Sequence, residues 1–210
     1  MTGEIAGLVL AGGRSRRMGG GDKSLLPLGG EPMLARAIRR IGLPPERIAI
    51  SANGDPGRFA AFGLPVIADT VGEYWGPLAG ILAGLEWAAE CTPCRALVSA
   101  AGDTPFFPTD LVRRLNEASA GHPDRIAVAA SDGRLHPVFA LWPIAMREAL
   151  RMFLLDGATF RMTDFVVQQG YISVDFPLSP SADALADPFF NVNTPADLER
   201  AEALRQELAP

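Results

Sequence analysis

Between Leu10 and Lys23 the chain reads Leu-Ala-Gly-Gly-Arg-Ser-Arg-Arg-Met-Gly-Gly-Gly-Asp-Lys. This sets four cations, Arg14, Arg16, Arg17 and Lys23, on a glycine-rich stretch of a protein whose formal net charge is -5. Backbone amides with no Cβ to hold a ligand away, guanidinium forks and an ammonium point charge are together what grips a triphosphate. The same composition also describes a solvated connection. Two phosphate motifs do not fit: a Walker A loop has glycine directly before its lysine, where Asp22 stands here, and a dinucleotide fingerprint needs G-x-G-x-x-G, whereas the glycine after Gly12-Gly13 is Gly19. We read a triphosphate cradle of another kind.

Asp103 ends the apolar run Ala96-Leu97-Val98-Ser99-Ala100-Ala101-Gly102. It is a turn cap before Thr104-Pro105 or a ligand for Mg²⁺, a hard cation held by one or two carboxylates plus substrate phosphates. A basic glycine loop on a neighbouring strand favours the metal. Asn191 and Asn193 flank Val192, so in a strand they point the same way; they read either as edge caps or as part of a metal or phosphate site. Ser51, Asn53 and Asp69 lie at strand ends and are candidates for the nucleoside. His136 reads as structural. With two histidines in the chain, and neither a nucleophile–base pair nor a carboxylate dyad close in sequence, acid–base machinery is thin. Transfer to an ionised phosphate needs none, because a monoester with a second pKa of about 6 is largely deprotonated near neutrality, and positioning with charge neutralisation carries the reaction.

These residues need a scaffold. Ile5–Leu10 reads as a buried first strand; Leu25–Leu34 as a short segment and turn; Met33–Ile41 as a helix stopped by Gly42 and Pro44-Pro45. Strands are expected at Arg47–Asn53, Pro65–Asp69, Ala96–Asp103, at Ile126–Ala130 and Val138–Trp142 as a pair around Asp132-Gly133, and at Tyr171–Val174 and Phe189–Asn193. Helices are expected at Leu78–Glu90, apolar on most sides and so deeply packed, at Pro108–Ala118 with Pro108 in its first turn, at Ile144–Phe153 and Thr159–Gln169. A last helix starts at Thr194-Pro195-Ala196-Asp197, with N-cap, proline and acid in sequence. Pro177–Asp187 reads as an irregular loop. Strands alternating with helices argue for a parallel-type sheet covered on both faces, with ligands beyond the carboxyl ends of its strands.

At 210 residues the chain suits one domain spanning 1–210. A pI near 5.1 argues against nucleic acid as a partner. The start Met-Thr-Gly-Glu has no basic n-region and no apolar stretch reaches the ~20 residues of a membrane span, so we expect a cytoplasmic protein with no membrane partner. Cys91 and Cys94 form a C-x-x-C pair with no second pair to complete a zinc site, and they follow a helix rather than starting one, where a thiol would be activated. They read as turn residues.

Taken in order, Leu10–Lys23, Gly76-Pro77-Leu78-Ala79-Gly80, Gly102-Asp103-Thr104-Pro105, His136-Pro137 and Asn191-Val192-Asn193-Thr194-Pro195 resemble the MobA family of molybdenum cofactor guanylyltransferases across nearly the whole chain. The first motif alone marks the wider nucleotidyltransferase superfamily. The resemblance implies a Rossmann-like α/β three-layer sandwich with a mostly parallel mixed sheet, and transfer of GMP from GTP to molybdenum-molybdopterin with release of pyrophosphate. It implies Mg²⁺ as cofactor, and molybdopterin-delivering proteins and molybdoenzyme chaperones as protein partners. By position, Leu10, Ala11 and Gly12 hold the nucleotide through backbone, Gly13 allows close approach, Arg17 and Lys23 neutralise phosphates, Asp69 contacts the nucleotide, Asp103 binds Mg²⁺, and Asn191 and Asn193 line the pterin-side or metal-side pocket. Gly80 joins the binding set. Where the family resemblance implies Asn-Ala-Asn, this chain has Ser51-Ala52-Asn53, a shorter group at the first position. The rival activities are the related CTP-dependent cytidylyltransferase, against which Gly12 speaks, and a non-catalytic nucleotide- or cofactor-binding module, against which Lys23 and Asp103 speak.

Overall fold

The computed structural model describes residues 4–12, 21–72, 75–91, 93–178 and 187–207. Along them run β1 (Glu4–Leu10), β2 (Pro27–Leu28), β3 (Glu31–Pro32), α1 (Met33–Ile41), β4 (Ile48–Ser51), β5 (Val66–Ile67), α2 (Pro77–Cys91), β6 (Cys94–Ala101), α3 (Leu111–Ala118), β7 (Ile126–Ser131), β8 (Arg134–Pro143), α4 (Arg147–Asp156), α5 (Met162–Gln169), β9 (Tyr171–Asp175) and α6 (Pro195–Glu207). Among the described residues the main sheet has the order β5-β4-β1-β6-β8-β7-β9, and β2 and β3 form a separate small ribbon.

Alternate residues of the central strands feed two cores, as strand geometry requires. Ala6 and Leu8 of β1 and Leu97 of β6 pack with Leu78, Ile81, Leu82 and Leu85 of α2 and with residues of α4 and α5. Val9, Val98 and Ala100 point the other way, to Leu34, Ala37 and Ile41 of α1 and Leu111 and Leu115 of α3. The molecule is therefore a three-layer α/β sandwich. Each fully buried leucine or isoleucine adds roughly 1.5–3 kcal/mol, which holds strands apolar on both faces at the centre of the sheet.

Register does the positioning. β1 pairs in parallel with both β4 and β6, placing Leu10 opposite Ser51 on one side and Ala101 on the other. Their carboxyl ends thus share one edge. The Gly102 N–H donates to the Leu10 carbonyl at 2.9 Å, while Ala11 and Gly12 N–H donate to the Ser51 carbonyl at 2.9 and 3.1 Å.

The sheet is mostly parallel and mixed, as the family resemblance implies: β8 runs antiparallel to both β6 and β7, because β7 and β8 form a hairpin. Its turn residues Asp132 and Gly133 have φ of 47° and 71°, the positive pair that tight hairpins favour. Several other expectations need correcting. Phe189–Asn193 is not a strand. Val192 instead buries its side chain with Leu28, Met33 and Ala201, and its N–H donates to the Asp103 carbonyl at 3.0 Å. The helix expected from Pro108 starts at Leu111, because the Pro108 carbonyl takes the Leu111 N–H in a turn first. α4 is preceded by a 3₁₀ turn at Ile144–Met146. α5 starts at Met162, since the Thr159 hydroxyl bonds Asp164 and the Arg161 N–H ahead of it. Of the loop expected at Pro177–Asp187, residues 179–186 lie outside the described residues.

α2 lies hard against the sheet through its glycines. A Cβ on Gly84 would come within 2.7 Å of a Leu8 methyl and 2.9 Å of a Leu97 methyl. Alanine is favoured over glycine in a helix by about 1 kcal/mol, but overpacking a core costs about 1–3 kcal/mol. We therefore expect Gly84→Ala to lose about 1 kcal/mol, read as a lower urea midpoint at unchanged slope; a midpoint at or above the parent's would show that α2 can lift off without penalty.

Candidate active site

Four chain segments meet at the shared edge of β1, β4 and β6. Lys23 sits in a single 3₁₀ turn, Lys23–Leu25, that follows the glycine stretch. Its ammonium lies 2.5 Å from Asp103 Oδ2 and donates to Asn193 Oδ1 at 2.5 Å. Asp103 follows β6 directly. Thr104, fully buried, donates through its hydroxyl to Asn191 Oδ1. The two asparagines expected on one strand face are thus held by different partners, Thr104 and Lys23, on an irregular segment. Leu10, Ala11, Gly12, Lys23, Ser24 and Asp103 line a cavity of about 30 Å³.

The segment bearing the asparagines is fixed from both ends. Asp197 Oδ2 accepts the Asn193 and Thr194 N–H groups at 3.0 and 2.9 Å, and Thr194 Oγ1 accepts the Asp197 N–H, a reciprocal cap at the start of α6. Burial opposes ionisation of Asp197, but these hydrogen bonds outweigh it and hold the carboxyl below its ordinary range. At the other end Asp187 Oδ1 accepts from the Phe189 N–H and from the Ser131 hydroxyl, which also bonds His136 Nε2 at 2.7 Å. His136 stacks on Phe189. Burial pushes its imidazole below the ordinary value, against the pull of Asp187. A buried imidazole so engaged is a strut, consistent with its structural reading.

A second group lies beside the first. Asn53 grips Asp69 at two points: its Nδ2 donates to Asp69 Oδ2 at 2.7 Å and its Oδ1 accepts the Asp69 N–H at 2.9 Å. Arg58 ties this group to the cradle, donating to the Asn53 carbonyl at 2.7 Å and pairing with Asp22 Oδ2 at 2.7 Å, next to Lys23. Ser51 is buried, and the Gly80 Cα leaves its side chain room: a Cβ there would come within 2.4 Å of Ser51 Oγ. Gly13 and Arg17 lie outside the described residues. Sequence reasoning missed Arg58, Thr104, Ser24 and the linking role of Asp197. Arg58 and Ser24 carry no motif; Thr104 stands inside Gly-Asp-Thr-Pro, which reads equally as a turn.

A carboxylate and an ammonium beside the Leu10–Gly12 backbone, at the end of central parallel strands, match what a metal-bound triphosphate needs. Residues 7–169 match the model of the MobA-like NTP transferase domain. The chain belongs to that family. A relative from Mesorhizobium japonicum, named molybdenum cofactor guanylyltransferase, is 58% identical over 99% of both chains. One of the same name from Rhodopseudomonas palustris is 49% identical over 94% of this chain and 90% of its own. The crystal structure of molybdopterin-guanine dinucleotide biosynthesis protein A from Archaeoglobus fulgidus shares the fold, with a TM-score of 0.73 at 22% identity over 98% of this chain and 100% of its own. The protein is accordingly a nucleotidyltransferase of the MobA-like family.

Burial raises the Asp69 carboxyl above its ordinary 3.8, the Asn53 amide pulling weakly the other way. Between those two values the folded protein binds more protons than the unfolded chain, so this group's ionisation costs stability as pH rises. Asp69→Asn keeps an acceptor for Asn53 and removes that cost. We expect the variant to melt higher than the parent at pH 7, with the gap closing as the pH is lowered toward 3.8. A gap of constant size over that range would assign the effect to something other than ionisation.

Proposed function

We propose that this protein transfers GMP from GTP to the phosphate of molybdenum-bearing molybdopterin and releases pyrophosphate. The observation that carries the reading is the contact of Lys23 with Asp103, made beside the Leu10–Gly12 backbone by residues from two separate motifs. The relatives' names supply the substrates.

Lys23 serves as phosphate ligand, exchanging its contact with Asp103 for a non-bridging phosphate oxygen, with Arg17 and the close approach at Gly13 assisting. The Ala11 and Gly12 N–H groups are already committed to Ser51, so Leu10, Ala11 and Gly12 meet the nucleotide through carbonyls and the open Gly12 Cα. Ser51, Asn53 and Asp69 receive the nucleoside, the Asp69 carboxylate accepting from amino or hydroxyl donors, and Gly80 keeps the floor clear beneath Ser51. Asn191 and Asn193 present amides toward the pterin or the metal. The oxygen donors at the cavity suit Mg²⁺, a hard ion, and a cationic nitrogen already rests on the Asp103 carboxylate that would hold it. When bound, Mg²⁺ supplies neutralisation of the charge that builds on the triphosphate.

In the reaction, an oxygen of the molybdopterin phosphate donates an electron pair to the α-phosphorus of GTP. The bond from that phosphorus to the bridging oxygen of the β-phosphate breaks, and its electron pair leaves with pyrophosphate. No proton need be removed from the nucleophile, which is largely dianionic above its second pKa of about 6. The chain's task is therefore alignment and charge compensation. Among the described residues no helix is long and apolar enough to cross a membrane. We place the reaction in the cytoplasm, where GTP is supplied, between molybdopterin-delivering proteins and molybdoenzyme chaperones.

The test is transfer of α-labelled nucleotide to molybdenum-molybdopterin with GTP, CTP and UTP in competition, with and without Mg²⁺. GMP transfer dependent on Mg²⁺ is expected; preferential CMP transfer would move the protein to the cytidylyl branch. Lys23→Ala and Asp103→Ala are each expected to lower turnover by about 10²–10³-fold, the scale for removing one group that stabilises developing charge. Because the ion pair is partly solvated, their melting temperatures should stay close to the parent's. Near-normal turnover in Asp103→Ala would remove the metal assignment.

A further inference from the structure

Ser24 is the one described side chain whose buried polar atom has no hydrogen-bond partner among the described residues. It is 3% exposed, and it lines the cavity of about 30 Å³ with Lys23, Asp103 and the Leu10–Gly12 backbone. An unpaired hydroxyl in such a place is disfavoured, and native proteins keep few of them. Nor is this one loosely placed. It sits in the tight Lys23–Leu25 turn, with its Cβ so close to Gly102 that a Cβ added there would lie 3.1 Å away. Gly102 directly precedes Asp103, so the turn and the end of β6 fix the hydroxyl and the carboxylate relative to each other.

The chemistry of the cavity selects what completes it. The Ala11 and Gly12 N–H groups in its wall are already engaged with the Ser51 carbonyl. Its side-chain donors are the Lys23 ammonium and the Ser24 O–H, and a cavity of about 30 Å³ has room for about two oxygen atoms at the ~10–15 Å³ that each needs. An anionic oxygen accepts from either donor more strongly than a neutral one does. We propose that Ser24 is a nucleotide-binding residue whose O–H donates to a phosphate oxygen of the triphosphate, beside the one taken by Lys23. This deepens the functional reading above and rests on it. The unpaired hydroxyl is preorganised for substrate, and the protein is less stable than it would be with a methyl group there.

Equilibrium titration of GTP and of guanosine into parent and Ser24→Ala protein, in Mg²⁺ and again in EDTA, together with melting curves taken without nucleotide, tests this. Loss of the orphaned hydroxyl should raise the melting temperature. It should weaken GTP binding about tenfold, in the range of a hydrogen bond to a charged group, in both media, and leave guanosine unchanged. Equal GTP affinity in the two proteins overturns the proposal. Equal weakening of GTP and guanosine, with a lower melting temperature, makes Ser24 a packing residue and also overturns it. Weakening seen in Mg²⁺ and absent in EDTA makes the hydroxyl a metal ligand and overturns the phosphate assignment. A parent that binds CTP or UTP in place of GTP defeats the guanine reading alone, and the Ser24 comparison is then read on that nucleotide; a parent that binds no triphosphate defeats both.

Discussion

The parallel pairing of β1 with β6 is the constraint on which the site depends. It aligns Leu10 with Ala101, and the residues after each strand, Ala11-Gly12 and Gly102-Asp103, then emerge side by side. A slip of one residue would turn the buried faces of β1 toward the wrong core and carry the site with it. Register is therefore held by the two cores, not by the site's own polar contacts, which are partly solvated and individually weak. The apolar layers set where charge can meet charge; the charges then choose their partners within narrow limits.

Stability and function pull against each other at this edge. The Asp69 carboxylate is half-buried and its ionisation is disfavoured, and among the described residues the Asn53 amide bonds its carboxylate oxygen. Ser24 leaves a hydroxyl unsatisfied. Lys23 and Asp103 compensate each other, though both are also the groups a metal-bound phosphate chain would claim. Such local departures from polar satisfaction collect where a ligand completes the arrangement, and the rest of the described chain is well paired.

Much of this was legible in the residues. Ile5–Leu10 could only be a buried strand, the acid at the end of Ala96–Gly102 stood out because nothing apolar explains it, and Thr194-Pro195-Ala196-Asp197 spelled a helix start that the Asp197 cap bears out. What could not be read depends on long-range partners. The reversal of β8 between β6 and β7 follows from a hairpin turn at Asp132-Gly133 whose pairing to β6 no local pattern encodes. Phe189–Asn193 has the alternation of a strand, but Val192 finds its pocket against Leu28, Met33 and Ala201, so the period reflects burial in a small side core and not pairing in the sheet. Arg58 and Ser24 matter through groups distant in sequence, and their residue types alone announce nothing.

The Asn191–Asn193 segment illustrates how a site is finished by elements outside its sheet. Lys23 and Asn193 are 170 positions apart, and the segment owes its place to a few specific bonds: Val192 to the Asp103 backbone, Thr104 to Asn191, the Asp197 cap, and the Asp187–Ser131–His136 chain. The first of these is decisive for geometry, because it ties the segment to the same residue whose carboxylate faces the cavity. Lys23, bonded to both, joins the carboxylate at the end of β6 to an asparagine that the sheet itself does not carry.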